Sequence, residues 1–180
     1  MNSKIFVQAG GTCPPNRSKH RVRGDRTIGG AELLDPNIVR MIELSETLFQ
    51  VPKGMHIYFY RDLARVQLGA FGWAHWKRDN NTGDIACWIQ VSLIEDNPDY
   101  PVLLTIPHEF KHVEDYGKYG RSNESSARHG EWTAAANWWR SPLVPAHAKT
   151  AIKRIGGYDI GPDGVARANG CNPVDLKTWR

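Results

Sequence analysis

Two histidines four residues apart, with a glutamate directly after the first, constrain this chain more than any other feature of its sequence. The residues run from His108 through Glu109 to His112, in the pattern H-E-x-x-H. Positions four apart return to nearly the same face of a helix, so both imidazoles can reach one metal ion while Glu109 lies beside it. The pattern therefore predicts a helix that carries a metal site.

The residue types in this pattern indicate hydrolytic chemistry. Neutral imidazole is a zinc ligand, and a catalytic zinc keeps one coordination position for water. Zinc lowers the pKa of that water from about 15.7 to about 7 and polarises a carbonyl group. The pattern favours a Zn²⁺-dependent hydrolase in which His108 and His112 are metal ligands and Glu109 is the general base.

The chain before the metal motif has the patterns of one helix and several strands. Asp35-Pro36 is typical of a helix start, with Asp as N-cap and Pro in the first turn, and that helix should end near Val51. Aromatic and β-branched residues in 55–60 and 65–77, then a turn and a return segment 84–92, predict strands. We expect a small antiparallel sheet from these strands.

Helical patterns dominate the second half of the chain. Residues 101–116 should form the helix with the metal motif, and 130–140 and 146–155 should form two more. The fold class expected is α+β, with the sheet packed against the metal-binding helix and with flanking helices. The domain would span 31–156, after a basic N-terminal arm at 1–30 and before an irregular tail at 157–180.

Chain length, cysteine spacing and the lengths of the apolar runs indicate the number of domains and the cellular compartment. The 180 residues fit a single domain, and Cys13, Cys87 and Cys171 lie far apart with no C-x-x-C pair, so we expect three free thiols. No export signal is visible, and the apolar runs are far below the roughly 20 residues that cross a bilayer. These features predict an intracellular, cytoplasmic protein without a membrane partner.

The two histidines leave the metal one protein ligand short, and three downstream side chains are candidates. These are Glu124, His129 and Glu131. Glycine costs about 1 kcal/mol in a helix interior, so Gly130 favours a helix that begins after His129 over one that runs through Glu124. Ligand chemistry alone leaves all three candidates open.

The segment around His129 resembles a known family. His129-Gly130-Glu131-Trp132 is similar to the H-G-x-x-W/F element that follows H-E-x-x-H in SprT-like (Spartan-type) zinc metalloproteases, and residues 57–72 and 84–93 look like their two preceding strands. The resemblance covers about residues 35–140. It implies a zincin-like fold, peptide-bond hydrolysis of a peptide or protein substrate, and His129 as third zinc ligand. The rival is a carboxylate ligand, as in peptidases that resemble thermolysin, supplied by Glu124 or Glu131.

A basic segment raises the question of a nucleic-acid partner. SprT-like proteases act on proteins attached to DNA, so the resemblance implies that this segment could contact phosphates. A solvated loop is the alternative, and a non-enzymatic nucleic-acid-binding protein with a structural zinc is the competing functional class. The basic residues are Arg17, Lys19, Arg21, Arg23 and Arg26.

Overall fold

The computed structural model describes residues 1–9, 26–61, 71–78, 80–83, 85–93 and 102–180. A short 3₁₀ helix, Ala31–Leu33, precedes the first α-helix. The helices are α1 (Pro36–Leu48), α2 (Val102–Tyr119), α3 (Glu124–Arg140) and α4 (Ala146–Lys149). The strands are β1 (Lys4–Gln8), β2 (Thr27–Gly29), β3 (His56–Tyr60), β4 (Gly72–Arg78), β5 (Ile85–Ser92), β6 (Arg154–Ile155), β7 (Tyr158–Ile160), β8 (Val165–Arg167) and β9 (Val174–Asp175).

The main sheet is mixed, in the strand order β2-β1-β3-β5-β4. The hairpin of β4 and β5 is antiparallel, as expected, but β1, β3 and β5 run parallel. The α+β class is therefore confirmed, and the expectation of an antiparallel sheet is wrong at its centre. Two pairings account for this. Strand β1, which has five residues and no sequence signal, is joined to β3 by a crossover through α1, and β3 pairs with β5 instead of with β4, which follows it in the chain.

Helix α1 begins where the sequence predicts. The Asp35 side chain accepts a hydrogen bond of 2.7 Å from the backbone N–H of Asn37, and Pro36 occupies the first turn, where its missing N–H costs nothing. The helix ends at Leu48, three residues before the expected end at Val51.

The core lies between one face of the main sheet and helices α1 to α3. Ile57 and Phe59 of β3 and Ile89 and Val91 of β5 are fully buried there. Each such side chain stabilises the fold by about 1.5–3 kcal/mol relative to exposure. Phe110 of α2, inside the metal motif, belongs to the same cluster, so the core fixes which face of α2 points away from it.

Helix α3 differs from the prediction because of a close approach to α2. It begins at Glu124 and runs through Gly130, so the expected break at that glycine is wrong. A Cβ at Gly130 would lie 2.7 Å from the Cβ of Lys111 and 3.0 Å from its Cγ, closer than real contacts allow. Glycine is needed there because it lets the two helices meet, and this contact outweighs its low helix propensity.

The C-terminal residues are ordered strands. The helix expected at 146–155 covers only Ala146–Lys149, and the tail expected to be irregular contributes to a four-stranded antiparallel sheet, β6-β7-β8-β9. Its strands are two or three residues long, too short to give a period of two in sequence. Ala166 and Leu176 join the main core, so this sheet packs on the rest of the fold.

The expected N-terminal arm also contains structure, because β1 and β2 lie in the main sheet. Within the basic segment only Arg26 is described, and its backbone carbonyl accepts a hydrogen bond from Ala9. Arg17, Lys19, Arg21 and Arg23 lie outside the described residues, as does Cys13. Cys87 and Cys171 are free thiols, as predicted. Among the described helices, none has the length and apolar character of a membrane span.

The contact at Gly130 predicts an unusual response to substitution. Gly130→Ala should lower the free energy of unfolding by up to about 2 kcal/mol, because an overpacking cost of about 1–3 kcal/mol outweighs the helix-propensity gain of about 1 kcal/mol. Urea unfolding followed by circular dichroism measures this change.

Gly117 provides the matched control for this substitution. It lies in α2, and a Cβ there would meet no atom within 4 Å, so Gly117→Ala should raise stability by up to about 1 kcal/mol. A Gly130→Ala protein that is as stabilised as Gly117→Ala would show that α2 and α3 do not touch at Gly130.

Candidate metal centre

Helix α2 places the two motif histidines side by side at the border of the core. His108 is buried and His112 is partly buried. Their Nε2 atoms are 3.1 Å apart, and the rings meet edge to face at a centroid distance of 4.8 Å. The spacing of one helical turn thus brings both imidazoles to one point, as the sequence predicts. The helix continues through Pro107, so the proline does not interrupt this arrangement.

Glu124, the first residue of α3, supplies the third donor. One carboxylate oxygen lies 3.3 Å from Nε2 of His108, and the other lies 3.4 Å from Nε2 of His112. In the part of the chain that the structure describes, these three side chains are the one His/Cys/Asp/Glu group close enough to hold a metal ion. The sequence had left Glu124 as one of three alternatives.

The donor spacing fits a tetrahedral ion. Zinc bonds to nitrogen and oxygen are about 2.0–2.1 Å, which places ligand atoms of a tetrahedron about 3.3 Å apart. The two Nε2 atoms are 3.1 Å apart, and they lie 3.3 and 3.4 Å from different oxygens of the Glu124 carboxylate. Two imidazole nitrogens and one carboxylate oxygen also form a donor set that divalent transition metals bind in proteins. His108, His112 and Glu124 could therefore hold a metal ion.

The second ring nitrogen of each histidine has its own partner. Nδ1 of His108 lies 2.6 Å from the Glu131 carboxylate, which is buried, and Nδ1 of His112 contacts the hydroxyl of Ser122. A carboxylate accepts, so Nδ1 of His108 donates and its Nε2 keeps a lone pair for a metal. Glu131, the other carboxylate alternative, thus orients a ligand and is not part of the ligand group.

The rotation of α3 explains which of its side chains reach the histidines. At about 100° per residue, Glu131 lies only about 20° from Glu124 around the helix, whereas His129 lies about 140° away. His129 is exposed and its ring centroid is 5.2 Å from that of Trp179, outside the ligand group. The structure thus does not bring His129, the expected third ligand, to the other two histidines; Glu124 lies beside them, because α3 starts before Glu124 and not after His129.

Electrostatics differ between the two histidines. Burial lowers the pKa of His108, but its hydrogen bond to Glu131 and the charges of Glu109 and Glu131 outweigh burial, so the pKa is raised. Burial and the charge on His108 lower the pKa of His112. A metal ion requires an unprotonated Nε2 on both rings, and the Glu131 carboxylate keeps the proton of the neutral His108 ring on Nδ1, which leaves the Nε2 lone pair for the metal.

Glu109 is buried between α2 and β4. Burial is the main cause that raises the pKa of its carboxyl to about 8, while the charge on His108 and a backbone hydrogen bond from Ala74 oppose the rise. A Cβ at Gly72 would lie 2.7 Å from a Glu109 carboxylate oxygen, so glycine leaves the space that this side chain occupies. The sequence identified Glu109, but the supporting positions 72 and 74 had no sequence signal.

The site opens into a cleft of about 850 Å³. Strand β4 forms one wall, and α2 with the N-terminal end of α3 forms the other. Arg128 also lines the cleft, and sequence reasoning missed it because nothing in the sequence places it near the histidines. The side chains and backbone that line the cleft near the metal group belong to Gly72, Ala74, Trp76, Thr105, Ser122 and Asn123.

The ligand group predicts that only one of two substitutions on α3 weakens zinc binding. Glu124→Ala should weaken Zn²⁺ binding by at least about 100-fold, since losing a ligand costs more than the about 10- to 100-fold of losing an outer partner. His129→Ala should leave zinc affinity unchanged, because its ring lies outside the group. Competition with a chromogenic chelator measures both. Loss of zinc in His129→Ala with retention in Glu124→Ala would restore His129 as the ligand.

Glu131 should act on metal affinity through His108. Glu131→Gln should weaken Zn²⁺ binding by about 10-fold, because a neutral amide orients and polarises the imidazole less than a carboxylate does. The control is Glu43→Gln, which removes the same charge from an exposed position on α1. Equal zinc affinities in the two variants would contradict a role for Glu131.

Comparisons of the chain with known protein families, with curated proteins and with solved structures found no match. The structure itself contains a cleft in which His108, His112 and Glu124 are positioned to hold a metal ion and Glu109 is buried beside them.

Proposed function

We propose that this protein is a zinc-dependent metallopeptidase, which hydrolyses peptide bonds with Glu109 as general base. The observation that carries the proposal is the group of His108, His112 and Glu124, whose candidate ligand atoms lie within 4.8 Å of one another on the lining of a cleft, with a carboxylate one residue from the first of them. A structural zinc site is closed by four protein ligands, whereas this group has three among the described residues and lines a cleft.

Zinc suits the donor set better than the common hard cations do. Calcium and magnesium take oxygen ligands almost exclusively, whereas two of the three donors here are imidazole nitrogens. When bound at His108, His112 and Glu124, zinc supplies Lewis acidity and lowers the pKa of water. The third-ligand chemistry corresponds to the carboxylate alternative, a gluzincin-type peptidase, while the wider resemblance to SprT-like proteases stays a prediction.

Glu109 has the position that a general base needs. Its backbone follows His108 directly, and its carboxylate lies in the wall of the cleft next to Gly72. In peptide hydrolysis the Glu109 carboxylate accepts a proton from the attacking water and then gives it to the leaving amine nitrogen as the C–N bond breaks. Burial excludes bulk water from the carboxylate, so the proton stays within the site.

Strand β4 supports a peptide as the substrate. It is the last strand of the main sheet among the described residues, and it borders the metal group. Phe71 accepts a backbone hydrogen bond from Ser92 of the neighbouring strand, so by alternation the backbone groups of Gly72, Ala74 and Trp76 point to the opposite edge, toward the cleft. The Ala74 N–H donates to Glu109 there, so a peptide would pair with the Ala74 carbonyl and with the groups of Gly72 and Trp76. An extended peptide can add to such an edge with its scissile bond near the metal.

Substrates attached to DNA remain a prediction from the family resemblance. Four of the five basic residues that motivate this prediction lie outside the described residues, and no feature of the cleft adds to it. The competing class is a nucleic-acid-binding protein with a structural zinc. It differs in one respect that can be tested, because a structural zinc site does not require the Glu109 carboxylate.

The test is Glu109→Gln. This variant should lose about 10²- to 10⁴-fold in kcat/KM for casein or a quenched fluorescent peptide, because it removes the proton acceptor. It should retain one zinc per chain by native mass spectrometry, because Glu109 is not a ligand.

Two further variants complete the experiment. Glu43→Gln removes an equal charge from an exposed site and should keep full activity. His108→Ala should lose both zinc and cleavage. A folded, zinc-loaded Glu109→Gln protein with wild-type turnover would end the proposed mechanism.

A further inference from the structure

The cleft beside the metal group has one guanidinium among its described residues, that of Arg128. Arg128 lies on α3, four residues after Glu124, so it projects from nearly the same side of the helix as that ligand, one turn further along. Its position on the wall of the cleft places it within reach of any molecule that also reaches the metal.

The side chain of Arg128 is not engaged elsewhere. Within the part of the chain that is described, no hydrogen bond or ion pair uses its guanidinium, and the residue is exposed. Some other cations of the fold are held by acids: Arg167 pairs with Asp163 at 2.6 Å, and Lys111 pairs with Asp115 at 2.7 Å. Five N–H donors of Arg128 are thus available to a ligand in the cleft.

Charge balance in the cleft favours an anion at Arg128. Glu109 and Glu124 are the carboxylates that line the cleft in the described chain, and a divalent ion at the metal group offsets two negative charges. Arg128 then leaves an excess of positive charge on one wall. Glu124, its neighbour one turn away, forms no ion pair with it and faces the histidines instead.

We propose that Arg128 is a specificity residue, which binds a carboxylate of the peptide substrate. This inference rests on the proposed peptidase function and names its substrate class: peptides with an anionic group near the scissile bond. A planar guanidinium matches a carboxylate with two parallel N–H···O bonds, and such charge-assisted bonds are the strong ones in recognition. In a peptide the carboxylate comes either from the C-terminus or from an Asp or Glu side chain.

The test is a binding experiment with the zinc-loaded Glu109→Gln protein, so that it does not depend on turnover. Three forms of one fluorescent peptide series are compared: a free C-terminal carboxylate, a C-terminal amide, and the amide with a single Glu placed at each position in turn. At least one carboxylate form should bind about 10-fold or more tightly than the neutral amide. Which form binds identifies the source of the carboxylate.

Substitutions at Arg128 assign the preference to this residue. Added to Glu109→Gln, Arg128→Gln should abolish the difference between the carboxylate and amide peptides, and Arg128→Lys should keep only part of it because an ammonium lacks the planar fork. Arg128→Glu should reverse the preference, toward a peptide with Lys at the same position. Lys153→Gln, an equal charge change at an exposed residue outside the cleft, should leave the preference intact.

The outcomes separate the two proposals. Equal affinities for all three peptide forms, or a preference that survives Arg128→Gln, would overturn the role of Arg128 while leaving the peptidase assignment to the Glu109 experiment. A preference that disappears with Arg128→Gln supports carboxylate recognition. If wild-type protein cleaves none of these peptides while that preference holds, the proposed hydrolysis is what fails.

Discussion

The site depends on one packing contact, the close approach of α2 and α3 at Gly130. With no side chain at that position, α3 lies against Lys111 in the middle of the metal motif. Two acids of α3, seven residues apart and thus on the same face, then meet the two histidines of α2. Glu124 reaches both Nε2 atoms and Glu131 reaches Nδ1 of His108, so one helix contact supplies both the third member of the candidate metal group and the partner that orients His108.

The buried polar side chains near this contact are stabilised by hydrogen-bond partners or ion pairs. His108 and Glu131 are both buried and hydrogen-bonded to each other, and Glu114 of α2, also buried, is held by Lys111, Lys118 and the backbone N–H of Gln50. Burying a charge alone costs several kcal/mol, so such groups persist only where partners are arranged around them. The same elements that build the core thereby hold the site rigid.

The local parts of the structure could be predicted from sequence, and the long-range parts could not. The start of α1 at Asp35-Pro36, the hairpin of β4 and β5, and the helix with His108 and His112 follow from spacing and capping within a few residues. The parallel strand β1, the short strands after residue 153, and the course of α3 through Gly130 were missed. Strand β1 and the course of α3 are stabilised by contacts with distant residues, which local propensity does not contain. The strands after residue 153 pair with near neighbours in sequence, but they are too short to give a periodic pattern.

By itself the sequence determined that two imidazoles and a carboxylate share one helix turn, because helical periodicity alone brings positions 108 and 112 together. It also limited the third donor to three side chains. Only the tertiary structure brings one of them, Glu124, beside the two histidines, since this depends on where α3 begins and which of its faces meets α2. The face of α3 that meets α2 is set by Gly130. Considered alone, the low helix propensity of glycine suggests that the helix breaks there, but the missing Cβ lets α2 pack against α3 at that position.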